Sequence, residues 1–308
     1  MKLWRGLSEE SGERVFHESG VLWLMRDNDS FVHDSIPHLT AAGLEVQPLD
    51  RREAQKKYPQ IEFEDISKIY FEKEAGFLLA KRACYLVVRL LRDRGGKYLQ
   101  AAAQPGEIKG GKMKSVLLAD GSELKADVFV FACGPWLGKL FPEVIGDKVR
   151  STRQETFYFG VPPGRNELTT THLPPWIDFT HTVTLYGVPS GGHHAFKAAD
   201  DGRGPLFDPS HGERLVSAEA VEAMREKLVR RFPGLKDAPI LESRVSQHDD
   251  SPDGRFILDR HPVARNVVLV GGGSGHGFKQ SPVIGEIAAS VASGRTEPPL
   301  HYRLSRFI

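Results

Sequence analysis

The sequence lacks the features that mark several classes of protein. Its 308 residues contain only two cysteines, Cys84 and Cys133, too few for a disulfide framework, which fits a reducing cytoplasm. Basic and acidic residues nearly cancel, at 41 against 40. The chain therefore has neither the basic surface of a nucleic-acid-binding protein nor an electrostatic reason to lie on an anionic membrane. These absences exclude nucleic-acid and membrane partners.

Long apolar runs are also missing. No stretch approaches the roughly 18 apolar residues of a transmembrane helix, and residues 1–14 (MKLWRGLSEESGER) contain no apolar core of a secretory leader. Hydrophobic residues nevertheless make up 40% of the chain and charged residues 26%, which is typical of a globular protein with a large core. We expect a soluble cytoplasmic protein of about two domains, or of one elaborate domain.

Two patterns of strands divide the chain. VFVFA at 128–132 and NVVLV at 266–270 are unbroken apolar runs, typical of parallel strands that are buried on both faces. Between about 150 and 250, short β-type runs alternate with Gly/Pro turns, which favours an antiparallel sheet. The sequence therefore predicts an α/β (α+β) protein in which a parallel unit and a mainly antiparallel sheet are interleaved.

The sequence predicts three helices and, for each of them, a residue at which it begins or ends. Residues 79–94 carry an apolar stripe at helical spacing and end before Gly95. Ser217 is a candidate N-cap for a second helix. Ser281 is a candidate N-cap for a third, with Pro282 as its first helical residue.

The segment 271–279 (GGGSGHGFK) is the most informative one for function. A loop with so few Cβ atoms lets a planar or phosphorylated ligand approach the backbone closely, and the following helix aims free N–H groups at that ligand. Lys279 adds a cation. The segment does not match G-x-G-x-x-G, because His276 stands where the last glycine is required. A glycine-rich turn without any ligand is the alternative.

A second candidate is Lys197, which lies in an apolar strand. On pattern alone, such a lysine more often points to solvent than into a site. Histidines and aspartates near it and further along the chain raise the alternative of a metal site, with these candidate ligands: His193, His194, Asp200, Asp201, His248, Asp249 and Asp250. Neighbouring residues of a strand point to opposite faces, so each adjacent pair can give only one ligand to a site, and we expect no metal.

Four segments together resemble the FAD-dependent D-amino-acid oxidase superfamily, and within it the amine oxidases similar to monomeric sarcosine oxidase. They are ADVFVFACGPW at 126–136, YGVPSGGHHAFK at 186–197, PDGRFILDRHP at 252–262 and GSGHGFKQSPVIGE at 273–286. The resemblance implies a Rossmann-like FAD domain, residues 75–150 and 255–300, interleaved with a substrate domain, residues 12–74 and 151–254.

The same resemblance implies roles for individual residues. The FAD-binding residues would be Gly134, Trp136, Gly273, Ser274, Gly275, His276, Gly277, Phe278 and Lys279. Lys279 matches a lysine at the flavin edge that is also associated with the substrate carboxylate, and Lys197 matches a lysine that favours electron transfer to O₂. Tyr186 matches an active-site tyrosine. Asp201 and His276 are candidates for handling the proton of the amine.

Three departures from the family accompany these matches. The N-terminal βαβ unit with its G-x-G-x-x-G loop and an arginine-bearing segment are absent, so we expect either an N-terminally truncated chain or one whose true start codon lies upstream. Ser246 stands where sarcosine oxidases attach the flavin to a cysteine, so the FAD should be non-covalent. Asp201 replaces a histidine, which favours a cationic amine over a carboxylate.

The resulting prediction is an FAD-dependent oxidoreductase. It would oxidise the C–N bond of an amine or N-methyl amino acid to an imine, and O₂ would reoxidise the flavin and give H₂O₂. The alternative from another class is a catalytically inactive fragment of such an enzyme that binds a partner.

Overall fold

The computed structural model describes residues 1–26, 30–189, 191 and 195–307. Within them, the α-helices are α1 (Lys2–Ser11), α2 (Ser30–Ala41), α3 (Arg51–Lys57), α4 (Ala80–Asp93), α5 (Leu137–Leu140), α6 (Ala218–Arg231) and α7 (Gly277–Ala292). The helix predicted over 79–94 is confirmed as α4. Ser217 is confirmed as the N-cap of α6, where its side chain accepts a hydrogen bond from the Ala220 N–H.

The strands of the described residues fall into one large sheet and several small ones. In chain order they are β1 (Phe16–Glu18), β2 (Val21–Met25), β3 (Val46–Pro48), β4 (Lys68–Glu72), β5 (Gly76–Leu78), β6 (Ala103–Pro105), β7 (Ile108–Lys109), β8 (Lys112–Met113), β9 (Val116–Leu118), β10 (Glu123–Leu124), β11 (Phe129–Phe131), β12 (Arg150–Gly160), β13 (Trp176–Asp178), β14 (Leu185–Val188), β15 (Ala195–Asp200), β16 (Ile240–Asp250), β17 (Ile257–Arg260) and β18 (Val267–Gly271). No described helix is both long enough and apolar enough to cross a membrane.

The large sheet has eight strands in the order β16-β12-β15-β14-β13-β2-β4-β3. Its neighbouring strands are antiparallel except for β13 and β2, which run parallel. The mainly antiparallel sheet predicted from the sequence is therefore confirmed. One face of this sheet packs against α6 and contributes Phe157, Phe196 and Trp176 to the largest hydrophobic cluster.

A three-stranded sheet, in the order β11-β18-β17, contains the predicted parallel pair. Phe129 pairs with Val267 and Phe131 with Leu269, and α7 packs its Ile284 against this sheet. The expectation that β11 is buried on both faces is wrong, because Val130 is 47% exposed. Since the side chains of a strand alternate, the two phenylalanines enter the core and Val130 points away from it.

The start of α7 differs from the sequence prediction. Ser281 is not its N-cap, because the helix already begins at Gly277 and Pro282 lies inside it. Contacts with a distant part of the chain, and not the capping pattern around Ser281, determine where the helix starts. The Phe278 ring packs against Trp4, and the Trp4 indole N–H donates to the Lys279 carbonyl at 2.8 Å. These contacts hold the residues before Ser281 in the helix.

The division into two interleaved domains stays a prediction. Apart from Arg150, the first residue of β12, the strands of the eight-stranded sheet come from residues 12–74 or 151–254, and every strand of the β11-β18-β17 sheet comes from residues 75–150 or 255–300. The antiparallel pairing of β1 with β5 joins the two sets, since Phe16 is opposite Leu78.

Candidate active site

The glycine-rich loop connects the end of β18 to the start of α7. Gly272 and Gly275 have φ of +69° and +79°, and Ser274, with φ of 45°, is the one residue other than glycine with positive φ among those the structure describes. A Cβ atom on Gly275 would lie 2.9 Å from Cε1 of His248. The loop therefore requires glycine both for its backbone conformation and for the close approach of the His248 ring.

The carboxylate of Asp249 lies beneath this loop. It accepts hydrogen bonds from the backbone N–H groups of Gly273 and Gly272, and burial raises its pKa. The Ser274 N–H donates to the Asp249 backbone carbonyl, and the Ser251 N–H donates to the Ser274 hydroxyl. The last residues of β16 and Ser251 thus hold the backbone of the loop.

The N-terminus of α7 points out of this loop. His276 is the N-cap residue, and its side chain makes no capping hydrogen bond. The first N–H groups of the helix, from Gly277 onward, are therefore not capped by a side chain, and Lys279 adds a cation beside them. Partial positive charge from the helix and the formal charge of Lys279 make this edge a place for negative charge.

Tyr186, Asp201, His276 and Lys279 form one electrostatic cluster. Burial, followed by the nearby Asp201 carboxylate, raises the pKa of Tyr186 to about 12. Burial and the Lys279 cation lower the pKa of His276, and Asp201 opposes that shift. The Asp201 carboxylate thus interacts electrostatically with both a phenol of the large sheet and the imidazole of the glycine-rich loop.

Lys197 is not a solvent-facing lysine, and the interpretation from its strand pattern is wrong. Its ammonium lies over the Tyr186 ring, 5.2 Å from the centroid, and its side chain is partly buried. Burial and repulsion from Arg244 lower its pKa. Lys197 pairs with Tyr158 across β12 and β15, so its side chain shares the sheet face that carries Tyr158.

The remaining predicted residues lie near this cluster or outside the described part. Gly134 and Trp136 follow β11 in a short 3₁₀ helix, where the Trp136 indole donates to the Ser210 hydroxyl at 3.0 Å. Ser246 is exposed on β16. His193 and His194 lie outside the described residues. No group of three metal-ligating side chains is found within those residues.

These residues fit a flavin. The loop has no side-chain atoms at its glycines, so its backbone can approach a planar ring closely, and the uncapped helix start with Lys279 suits a ring edge that becomes negative on reduction. The class that this fold and site define is a flavin-dependent oxidoreductase.

The comparison with protein families agrees with this class. Residues 1–291 match the model of the DAO family, described as FAD dependent oxidoreductase, and the chain belongs to that family.

Individual relatives are enzymes that act on amines and N-methyl amino acids. The chain is 25% identical to monomeric sarcosine oxidase of Bacillus sp. (strain NS-129), with 96% of this chain and 77% of the relative aligned. It is 28% identical to N-methyl-L-tryptophan oxidase of Salmonella dublin, with 99% of this chain and 81% of that relative aligned. Among solved structures, L-proline dehydrogenase from P. horikoshii superposes with a TM-score of 0.84 at 21% identity, covering 99% of this chain and 80% of that one, which shows a shared fold.

Two residues of the site have features that sequence reasoning missed. Asp249 was considered only as a metal ligand, whereas its carboxylate holds the backbone of the glycine-rich loop. Glu72, on β4, is close enough to Lys279 for the two charges to interact, and burial raises its pKa. Neither role has a local sequence signal, because both depend on strands that are distant in sequence from the loop.

Proposed function

We propose that this chain oxidises the C–N bond of a small amine or N-methyl amino acid to an imine and passes the electrons to O₂. The substrate would lose a hydride from the carbon next to nitrogen and a proton from nitrogen, and water would hydrolyse the imine. Two electrons and two protons convert O₂ to H₂O₂. FAD, when bound, supplies the group that accepts the hydride.

The observation that carries this proposal is the meeting of the glycine-rich loop with one face of the large sheet. Through Asp201, the cluster joins Tyr186 of β14 to His276 at the start of α7. An amine placed there would lie against the flavin edge and within reach of groups that can take its proton. The relatives named as sarcosine and N-methyl-L-tryptophan oxidases support this substrate class.

The two lysines would stabilise negative charge at different places. Lys279, beside the uncapped start of α7, would stabilise charge that develops on the edge of the flavin ring. Lys197 has an ammonium that is partly removed from water, so its charge acts more strongly on a neighbouring group than it would at the surface. We assign it to stabilising the charge that O₂ acquires on reduction.

His276 would take the proton of the amine, and Asp201 would tune its basicity. The imidazole is an effective base only when neutral, and burial together with Lys279 keeps its pKa below the ordinary value. The Asp201 carboxylate also favours a cationic amine in its neighbourhood, which raises the local concentration of protonated substrate.

Ser246 takes the place at which a cysteine could bind the flavin covalently, and a hydroxyl cannot form that thioether. The proposal therefore includes non-covalent FAD. Its test is the visible absorption spectrum of the purified chain, incubated with FAD and freed of unbound cofactor, then repeated on the supernatant after acid precipitation. Flavin bands in that supernatant are expected. Bands that stay with the precipitate would contradict non-covalent binding, and a colourless protein would contradict FAD binding by this chain.

Amine oxidation itself is tested on the same flavin-loaded preparation. Sarcosine, N-methyl-L-tryptophan and L-proline are added in turn under air, and H₂O₂ is measured with a peroxidase-coupled dye. Bleaching of the flavin band without H₂O₂ would retain the amine chemistry and overturn O₂ as the acceptor. Absence of bleaching with every amine in a wider panel would overturn the proposed substrate class.

A further inference from the structure

A cavity of about 390 Å³ opens where β15 ends, between α6 and the loop of residues 202–205. Phe157 and Met224, both almost fully buried, form its floor. Lys197 and Asp200 are three positions apart on β15, and side chains alternate along a strand. Asp200 and the cavity it lines therefore lie on the opposite side of the large sheet from Lys197, so the cavity is separate from the candidate active site.

Backbone contacts fix the shape of this cavity. The Arg153 N–H donates to the Pro205 carbonyl at 2.9 Å, so the loop lies directly against β12. A Cβ atom on Gly204 would overlap the carbonyl oxygen of Arg153, and the approach therefore requires glycine. On the opposite wall, Ala220 and Ala223 are the small residues of α6 that leave the space open.

Two of the three cations that line the cavity already have carboxylate partners. Arg153 donates from Nη2 to Glu155 at 2.8 Å, and Lys227 donates from Nζ to Oδ2 of Asp200 at 2.6 Å. The third cation, Arg203, is exposed, and within the described part of the chain no carboxylate lies within ion-pair distance of it. The lining therefore carries one positive charge without a partner.

The Asp200 carboxylate has one oxygen without a donor. Its Oδ1 is buried, and no described residue donates a hydrogen bond to it. A buried acceptor in this state is unfavourable, and an N–H group of a ligand would relieve that cost. Arg203 is the converse, because among the described residues only the Ser251 carbonyl accepts from it, at 3.3 Å. The other N–H groups of its guanidinium are available to an anion.

We propose that this cavity binds a small amino acid in its zwitterionic form. The ammonium donates to Oδ1 of Asp200, the carboxylate pairs with Arg203, and an apolar side chain lies on the floor of the cavity. A simple cation would be repelled by Arg203 and Lys227, and a simple anion would leave Oδ1 of Asp200 without a donor. The volume lies in the range of sites for small organic ligands. The proposal goes beyond amine oxidation and does not require flavin.

The test compares three molecules that share one apolar body. Isothermal titration calorimetry with the purified chain, at pH 7 and constant ionic strength, measures the Kd of L-leucine and of two analogues. 4-Methylpentanoate lacks the ammonium, and 3-methylbutylamine lacks the carboxylate. We expect leucine to bind at least about tenfold more tightly than either analogue, because each analogue loses one charge-assisted hydrogen bond. Similar affinities for leucine and either analogue, or no detectable binding of leucine at millimolar concentration, would overturn the proposal.

A pair of variants locates the binding event. Ala223→Trp fills the cavity from an exposed position of α6, and we expect the Kd of leucine to rise by at least about tenfold. Ala218→Trp, also exposed on α6 but outside the lining of the cavity, is the matched control and should leave the Kd unchanged. Leucine binding that survives Ala223→Trp, or that both variants weaken alike, would show that the ligand binds elsewhere and that the assignment is wrong.

Arg203→Gln tests the orientation of the ligand. It removes the cation assigned to the carboxylate, so the Kd of leucine should rise about tenfold while that of 3-methylbutylamine does not rise. Arg230→Gln, which removes an exposed arginine of α6, should change neither value. Equal weakening of leucine and the amine by Arg203→Gln would refute the pairing of the carboxylate with Arg203.

Discussion

The two faces of the large sheet differ in what they bury. On the face toward α6, Phe157 and Phe196 are almost fully buried, and the Phe196 and Phe232 rings pack edge to face at 5.0 Å. On the opposite face, Tyr158 and Lys197 occupy the next positions of the same strands and are only partly buried. We call these the closed face and the open face.

The comparison shows how one set of strands serves stability and chemistry together. Because side chains alternate along a strand, each β12 and β15 residue that fills the core is followed by one that faces the open side. On the closed face the buried Arg231 guanidinium is paired with Asp178 and Asp65, whereas no described carboxylate lies within ion-pair distance of Lys197 on the open face. Substitutions on the closed face should therefore alter folding stability, and those on the open face should alter ligand binding and catalysis.

The largest effect is expected for Arg231→Met on the closed face. The buried guanidinium of Arg231 donates to Asp178 at 2.7 Å, to Asp65 at 2.8 Å and to Thr180 at 3.1 Å. Removing it leaves the buried Asp178 carboxylate without its cation, and we expect the free energy of unfolding to fall by about 3–5 kcal/mol. Urea unfolding followed by circular dichroism measures the change.

Arg230→Met is the matched control, because Arg230 is the exposed neighbour on the same helix and should change stability by less than about 0.5 kcal/mol. Acid unfolding tests the same pairing. Although burial raises the pKa of Asp178, its partners, His181 and Arg231 foremost, lower it from 3.8 to about 2 in the folded protein. The stabilisation is complete above pH 3.8 and is lost as the pH falls toward 2. An Arg231→Met protein as stable as wild type would contradict this account.

Lys197→Met tests the open face. If its ammonium stabilises charge on O₂, the substitution should slow flavin reoxidation by about 100-fold, the cost of removing one electrostatic stabiliser, and leave reduction by the amine nearly unchanged. Stopped-flow absorbance measures the two half-reactions separately. Lys236→Met, which removes an exposed lysine, is the control. Equal slowing of both half-reactions would refute the assigned role.

Gly275→Ala tests the loop that borders the open face. The positive φ of Gly275 and the nearby His248 ring both oppose a Cβ atom, so we expect a loss of about 1–2 kcal/mol of stability and weaker retention of FAD. Gly285→Ala is the counterpart within α7, where a Cβ atom meets nothing within 4 Å. That variant should be more stable than the wild-type chain by about 0.5–1 kcal/mol. The pair is measured by thermal unfolding and by flavin content, and a destabilising Gly285→Ala would overturn the distinction.

The smallest effect is expected for Asp201→Asn. The Asp201 carboxylate raises the pKa of His276, so its removal lowers that pKa further. If neutral His276 accepts the amine proton, the acidic limb of the pH profile for flavin reduction should move to lower pH. An unmoved acidic limb would remove Asp201 and His276 from proton transfer.

Local patterns were sufficient to predict much of the fold. Unbroken apolar runs identified β11 and β18, and the stripe over 79–94 identified α4, because periodicity records which side chains a strand or helix buries. The start of α7 could not be predicted, because Trp4, which is about 270 positions away in the chain, helps to fix it.

The candidate site was predictable only in part. The glycine-rich loop is contiguous and therefore visible in the sequence, as is Lys279 next to it. The partial burial of Lys197 depends on the register between β12 and β15, and the cavity lined by Asp200 and Arg203 needs α6 to be placed against the strands. Cavities and charge clusters of this kind arise from pairings between distant segments, for which a single sequence holds no direct signal.

The contact between α1 and α7 gives the chain a built-in optical reporter. Trp4, one of four tryptophans, donates its indole N–H to the carbonyl of Lys279, and its ring lies 5.5 Å from that of Phe278. Its fluorescence should therefore respond when a chromophore settles against the start of α7. The difference in emission between the wild-type chain and Trp4→Phe then follows occupancy of the loop in real time.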